Sequence, residues 1–206
     1  MIEVYYYISV NFTKSIVESG LKLSQWHDKE VPLNGQMKKC VSALLNPKDD
    51  MHKYRSHEFI CVKLKVNKTF CYAADRFLFN LSKNIPEVLD LYIKSVIPVE
   101  NYIFGMYRIP ECLVTTTVIG DMITLLNKRR DSPILFDNSE DLYINNLIQV
   151  NKEKTPGFSD AVLYSFYSKL AELGRVKKVE SPGKNTALFI DEDKEEVYSL
   201  RIPDWL

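Results

Sequence analysis

The chain has 206 residues, long enough for one large domain or for a domain with a small appendage. Lys plus Arg and Asp plus Glu stand at 27 each, so no overall basic field marks it for nucleic acid, and only a local patch could do so. With 46% hydrophobic and 26% charged residues it has the composition of a globular protein with a proper core, and 12% aromatic content makes that core rich in rings.

The opening "EVYYYISV" (3–10) is β-branched and aromatic and too short for a helix, which predicts a strand. Glu3 and the missing basic segment argue against a signal peptide. "NFTKSIVESGLKLS" predicts a short helix capped by Asn11 or Thr13. Its Ile16 and Val17 should face inward, Gly20 should supply a left-handed stop, and Leu21 should pack back. Residues 25–39 are polar and turn-rich, with "VPLNGQ" breaking any periodicity, and read as a loop. "CVSALLNP" predicts a strand ended by Asn46-Pro47, and "KDDMHKYRSHE" a charged connection or short helix. "FICVKLKVN" is the clearest strand, because Ile60, Val62, Leu64 and Val66 alternate with Phe59, Cys61, Lys63 and Lys65. "FCYAADRFLFN" continues as a strand into a turn or short helix. "IPEVLDLYIKSVIP" is helical, with Pro86 in its first turn and Val88, Leu91 and Tyr92 at helix spacing. "ECLVTTTVI" predicts a strand, and "DMITLLNKRR" fits a helix or a further strand.

The composition shifts at "NKEKTPG" (151–157). Beyond it, "SDAVLYSFYSKLAELG" predicts an amphipathic helix capped by Ser159, lined on one face by Val162, Phe166, Leu170 and Leu173, and stopped by Gly174. "RVKKVE", "TALFID" and "EVYSLRI" then predict a three-strand meander. The expected fold is α+β: residues 1–150 form a mixed, largely antiparallel sheet with short helices, and residues 151–206 form a helix-and-meander element packed on it.

Several chemistries are disfavoured. The four cysteines, Cys40, Cys61, Cys71 and Cys112, form no C-x-x-C pair, and three lie in apolar runs, which predicts buried reduced thiols and a cytoplasmic protein. The seven glycines form neither G-x-G-x-x-G nor G-x-x-x-x-G-K-[ST]. His27, His52 and His57 sit in polar surroundings, so they read as surface residues and no metal site is expected; the acidic pair Asp49–Asp50 reads as solvated. No run of eighteen apolar residues predicts a membrane helix. "NKRRDSP" (127–133) is locally basic and reads as a solvated face.

Glu111 stands out within "YRIPECLV", directly after a proline and at the mouth of an apolar strand. "YYYISVNFTKSIVESGLKLS" resembles the first unit of the ADP-ribosyltransferase superfamily, including its tRNA 2'-phosphotransferase and DarT-like members. "YRIPECLVTTTVIGDMI" resembles the superfamily's final catalytic strand, in which a glutamate opens an E-x-L-V run. The likeness spans about residues 3–126, with the two ends about a hundred residues apart, as a single transferase domain allows. It implies an enzyme that cleaves NAD as its substrate and transfers ADP-ribose to an acceptor, with DNA or RNA favoured over protein. Glu111 would be the catalytic carboxylate, and Tyr7, Ser9, Asn11, Ser42 and Tyr72 would bind NAD. Arg55 or Arg76 would meet the pyrophosphate, and Tyr107 would be a further stacking ring. The first strand carries neither His nor Arg, a departure from the family pattern. It keeps open the alternative of a non-catalytic interaction module that binds nucleotide or nucleic acid on the same scaffold. A third reading makes the C-terminal helix and hairpin, with the basic stretch 175–184, a nucleic-acid-binding wing.

Overall fold

In the computed structural model, residues 1–126, 138–181, 183 and 185–204 are described; the basic segment 127–133 lies outside them. The chain divides into two compact units, Met1–Asn145 and Asn146–Leu206. The fold is α+β, with a largely antiparallel main sheet, short helices and a C-terminal three-strand sheet. Among the described residues, no helix is long and apolar enough to cross a membrane.

The first unit opens with β1 (Ile2–Ser9), as its β-branched and aromatic sequence requires. A 3-10 turn, Val10–Phe12, runs into α1 (Thr13–Ser19). Neither Asn11 nor Thr13 caps α1; Phe12 holds the cap position without a side-chain bond. The helix does stop at Gly20, where φ is 81° and a Cβ would come within 2.6 Å of the Val118 carbonyl oxygen. Leu21 then buries completely and bridges to Val118, while α2 (Leu23–Trp26) adds a single turn.

The stretch 25–39 is not a loop. It contains β2 (Lys29–Leu33) and the start of β3 (Gln36–Leu44), joined by Asn34-Gly35 with φ of 51° and 77°. Two successive positive φ angles are what a tight hairpin turn needs, and Asn-Gly supplies them with little strain. After α3 (Met51–Arg55) come β4 (Phe59–Val66), β5 (Cys71–Asp75), α4 (Arg76–Ser82) and α5 (Val88–Ser95). Asp75 caps α4 by accepting from the Phe77 amide. On α5 the buried residue is Tyr92, whereas Leu91 is exposed, so the inward face is narrower than the apolar spacing predicts. The two-residue β6 (Ile97–Pro98), β7 (Pro110–Val114) and β8 (Ile123–Leu125) complete the sheet. Within "DMITLL", Ile123–Leu125 is therefore a strand, entered through a 3-10 turn at Gly120–Met122.

Strand order is β6-β5-β7-β3-β1-β4-β8, with β2 paired to the first half of β3. β1 pairs with β4 along eight registered residues, but among the described residues it shares one registered pair with β3, Tyr5 with Leu44. The sheet therefore splays at the β1/β3 seam. One face carries the main apolar cluster, including Val4, Ile8, Val41, Ala43, Val62, Leu64, Cys112 and Val114, with Ile16 of α1 packed against it. All five residues of β7 are buried, so Glu111 lies in the driest strand of the sheet.

Helix α6 (Ser139–Lys154) spans the division between the units. The second unit carries α7 (Phe158–Glu172) and the antiparallel meander β9 (Lys177–Ser181), β10 (Thr186–Asp191) and β11 (Glu196–Arg201). Gly157, not Ser159, holds the cap position of α7. The buried face is also rotated from the expected one. Ala161 and Tyr164 are buried, and Tyr164 packs with Ala187 and Phe189; of the expected stripe Leu170 joins that cluster, while Val162, Phe166 and Leu173 are exposed. The partners decide this: Tyr167 stacks on Phe189 and Tyr198, which selects the tyrosine-bearing stripe of the helix.

Candidate active site

Side chains alternate along a strand, so Cys40, Ser42 and Leu44 of β3 share one face. Lys29 pairs with Cys40 and Glu111 pairs with Leu44, which brings both side chains to that face on either side of Ser42. The approach to β7 is fixed by Asp75, whose carboxylate accepts from the amides of Phe77, Arg108 and Ile109 at 3.0–3.3 Å. Helix α5 then aims Tyr92 at the same point.

The result is a closed network around Glu111, which is 0% exposed. Lys29 Nζ donates to both carboxylate oxygens, at 2.9 Å to Oε1 and 3.0 Å to Oε2. The Tyr92 hydroxyl donates to Oε1 at 2.9 Å, and the Ser42 hydroxyl donates to Oε2. Each oxygen thus receives two donors, the condition under which a buried carboxylate can stay in a low-dielectric setting. The ammonium also lies 3.6 Å from the centre of the Phe79 ring and 5.3 Å from that of Tyr92, inside an aromatic corner. Burial lowers the Lys29 pKa despite the opposing attraction of Glu111. Burial and the Glu111 charge together push the Tyr92 phenol well up, so it remains a donor.

At the β1/β3 seam Asp28 replaces missing strand pairing. Its Oδ2 accepts from the Ser42 amide at 2.7 Å and its Oδ1 from the Tyr6 hydroxyl at 3.1 Å. The seam opens into a cavity of about 170 Å³ bordered by Tyr5, Tyr6, Tyr7, Lys29, Ser42 and Leu44 on the sheet, and by Asp50, Lys53, Arg76, Phe79 and Lys83 beyond it. Asp50 steadies two of the cations, lying 3.4 Å from Arg76 and 3.9 Å from Lys53. Glu111 does not itself border the cavity; Lys29 and Ser42 stand between.

The chain matches no family model, no curated protein and no solved structure. Geometry alone therefore sorts the candidates taken from the sequence. The cleft brings together Tyr7, Ser42 and Arg76, with Glu111 directly behind Ser42. Tyr7 is mostly buried and donates its hydroxyl to the Pro47 carbonyl at 2.7 Å. Ser9, at the end of β1, and the exposed Asn11 do not border the cleft. Tyr72 packs instead with the cluster that contains Leu33, Tyr92 and Leu113, and Arg55 is exposed at the end of α3. Tyr107 is core, with its hydroxyl donating to the Ser95 carbonyl at 2.5 Å, so it offers no stacking face. Asp49 is not merely solvated: it receives the Ser139 amide and hydroxyl, each at 2.7 Å. Among the described residues, no cluster of three or more His, Cys, Asp or Glu side chains converges as metal ligands. In the second unit, Lys178 is tied to Glu180 at 2.6 Å and to the Tyr164 hydroxyl at 2.9 Å, which reduces the basic character of a wing.

Sequence reading missed Lys29, Asp28, Tyr92 and Phe79. The signal for the first two was Asn34-Gly35, which marks the hairpin that carries Lys29 to Cys40. Nothing local marks Tyr92, since its partner is nineteen residues away on another element.

Proposed function

We propose that the β1/β3 cleft binds NAD and that the protein is an ADP-ribosyltransferase-like enzyme, with a nucleic acid favoured as acceptor. The observation that carries this reading is a fixed carboxylate behind a cleft wall that also offers cations and rings. Lys53, Arg76 and Lys83 suit the two phosphates of a dinucleotide, and Phe79 borders the same cleft with the Lys29 ammonium over its ring. At about 170 Å³ the cavity is smaller than the roughly 300–1,000 Å³ of common ligand pockets, so part of the dinucleotide would lie across the open lip.

In the reaction, the bond from the anomeric carbon to the nicotinamide nitrogen breaks, and the base leaves with the electron pair. An acceptor oxygen or nitrogen then supplies the pair that closes the new bond, and its proton passes to solvent at the open lip. Glu111 would accept a hydrogen bond from the ribose 2'-hydroxyl and stabilise positive charge as it builds on the sugar. Ser42 and Tyr92 are positioning residues, since their donors hold the carboxylate in one orientation.

A second reading, a nucleotide-binding module without turnover, is favoured by one observation: Glu111 is enclosed, with both oxygens already occupied. Incubation with NAD labelled in nicotinamide, alone and with DNA, tRNA or lysate, separates the two. Wild-type protein should release nicotinamide, and Glu111→Ala should lower that release by roughly 10²–10³-fold. Release that survives the substitution removes Glu111 from the chemistry. A thermal shift with NAD and no release by wild type would select the binding module.

A further inference from the structure

A carboxylate that is already neutralised cannot add much to the stabilisation of a cation. Catalysis draws on interactions that are stronger in the transition state than before it. With Lys29 at 2.9 and 3.0 Å, Glu111 has a full positive charge beside it before any sugar arrives. Lys29 is also one of the two network members that border the cleft, so a ligand meets it before it meets the acid.

We propose that Lys29 is a shared counter-ion. In the empty cleft it neutralises Glu111, and a ligand diphosphate entering the β1/β3 seam draws the ammonium onto itself and opens one carboxylate position to the ribose hydroxyl. This rests on the nucleotide reading of the cleft. The residue type fits the role. Lysine is a point charge on a flexible stem with rotatable donors, whereas arginine would grip the carboxylate through a rigid fork. The surroundings fit as well. Lys53, Arg76 and Lys83 border the same cavity and, with Lys29, outnumber its two acids, Asp28 and Asp50, so an anion is attracted toward Lys29. Once Lys29 moves, Ser42 and Tyr92 still donate one bond to each oxygen, and the carboxylate keeps its orientation. The positive charge that it then lacks returns only as the sugar loses its base. Lys29 on this account is a positioning residue that withholds the carboxylate until a phosphate ligand is seated.

Glu111 and the ligand then compete for one ammonium. Removing the negative charge from Glu111 should tighten phosphate binding, although the acid itself touches no phosphate. Calorimetric titration with ADP, which has no nicotinamide to lose, tests this on wild type, Glu111→Gln, Lys29→Met and the double variant. Glu111→Gln should bind ADP about fivefold or more tightly than wild type, the lower end of ordinary coupling between sites. That gain should vanish when Lys29→Met is present, and adenosine should bind all four proteins alike. Inorganic pyrophosphate, run in parallel, should follow the ADP pattern more weakly; if it alone shows the pattern, the ligand is a free polyphosphate and the nucleoside half of the proposal falls. Should Lys29→Met fail to fold with its acid unpaired, the double variant is compared with wild type instead and should bind ADP no more tightly, since the gain needs Lys29. Equal ADP affinity in wild type and Glu111→Gln, or a gain that persists without Lys29, overturns the shared counter-ion and leaves the nucleotide site standing. ADP binding to none of the four overturns the nucleotide site and the counter-ion together.

Discussion

On one face of the main sheet Val4, Val41, Val62, Leu64 and Val114 belong to a single apolar cluster; on the other face the same strands bury Glu111 among Lys29, Ser42 and Tyr92. The first face is stabilised by area removed from water, at roughly 25 cal/mol per Å², and any well-fitting aliphatic residue can contribute. The second gains little from burial itself, because taking two charges out of water costs several kcal/mol per ion before their attraction returns it. Its members are therefore interdependent in a way that the apolar face is not. A buried ionic network beside a cavity is weak grounds for stability and better grounds for a site.

The largest effect should come from separating the pair. Lys29→Met leaves an uncompensated acid at a position with no exposure and should cost about 3–5 kcal/mol in urea unfolding. Adding Glu111→Gln should recover most of that loss, because the remaining groups can be satisfied without charge. On the apolar face, Leu64→Ala should cost about 2–5 kcal/mol through lost burial and a residual cavity, and no second polar change should rescue it. If the double variant at the site recovers nothing, the two faces are held in the same way and the distinction fails.

The apolar face was largely legible from the chain. Alternation of Ile60, Val62, Leu64 and Val66 predicts β4, and the β-branched opening predicts β1, because strand periodicity is a local property. Glu111 was legible as an anomaly, a carboxylate where the pattern demands an apolar residue. Its partners were not, since Lys29 lies 82 residues away and Tyr92 on a helix whose spacing marks it only as apolar. Residues 25–39 show how that happens. Val31 and Leu33 do alternate with exposed Glu30 and Pro32, but two apolar positions are too short a run to mark a strand beside a proline and the turn residues Asn34-Gly35. The rotated face of α7 has a similar origin, because the rings of Phe189 and Tyr198 choose which stripe is buried.

Asp49 sharpens the contrast, as a carboxylate held by neutral donors with a cation only at longer range. Burial raises its pKa from 3.8 to about 6, against the bonds from Ser139. The folded state therefore holds this proton more tightly than the unfolded chain does, so stability should fall as pH rises from about 4 to about 6 and stay lowered above it. The loss should be on the order of 2–3 kcal/mol, less whatever solvent the half-buried carboxyl retains. Asp49→Asn removes the titration but can still accept from the Ser139 amide. Thermal unfolding of both proteins from pH 4 to 7 should show a steeper decline in wild type, and parallel curves would mean that Asp49 is solvated after all.

Two tyrosines give the smallest and most direct comparison, because the same Phe substitution can be made against each face. The Tyr92 hydroxyl donates to a charged oxygen, and hydrogen bonds to charged groups contribute about 1.5–3 kcal/mol. The Tyr107 hydroxyl donates to the neutral Ser95 carbonyl, from a ring that packs within the apolar cluster, where about 0.5–1.5 kcal/mol is usual. Tyr92→Phe should therefore destabilise more than Tyr107→Phe, and under the proposed transferase reading only the former should change nicotinamide release, since it removes a donor that orients Glu111. With Lys29 and Ser42 still bonded, the stability cost at Tyr92 should fall near the low end of its range. Losses that rank the other way would mean that Lys29 alone satisfies the acid and that Tyr92 contributes packing only.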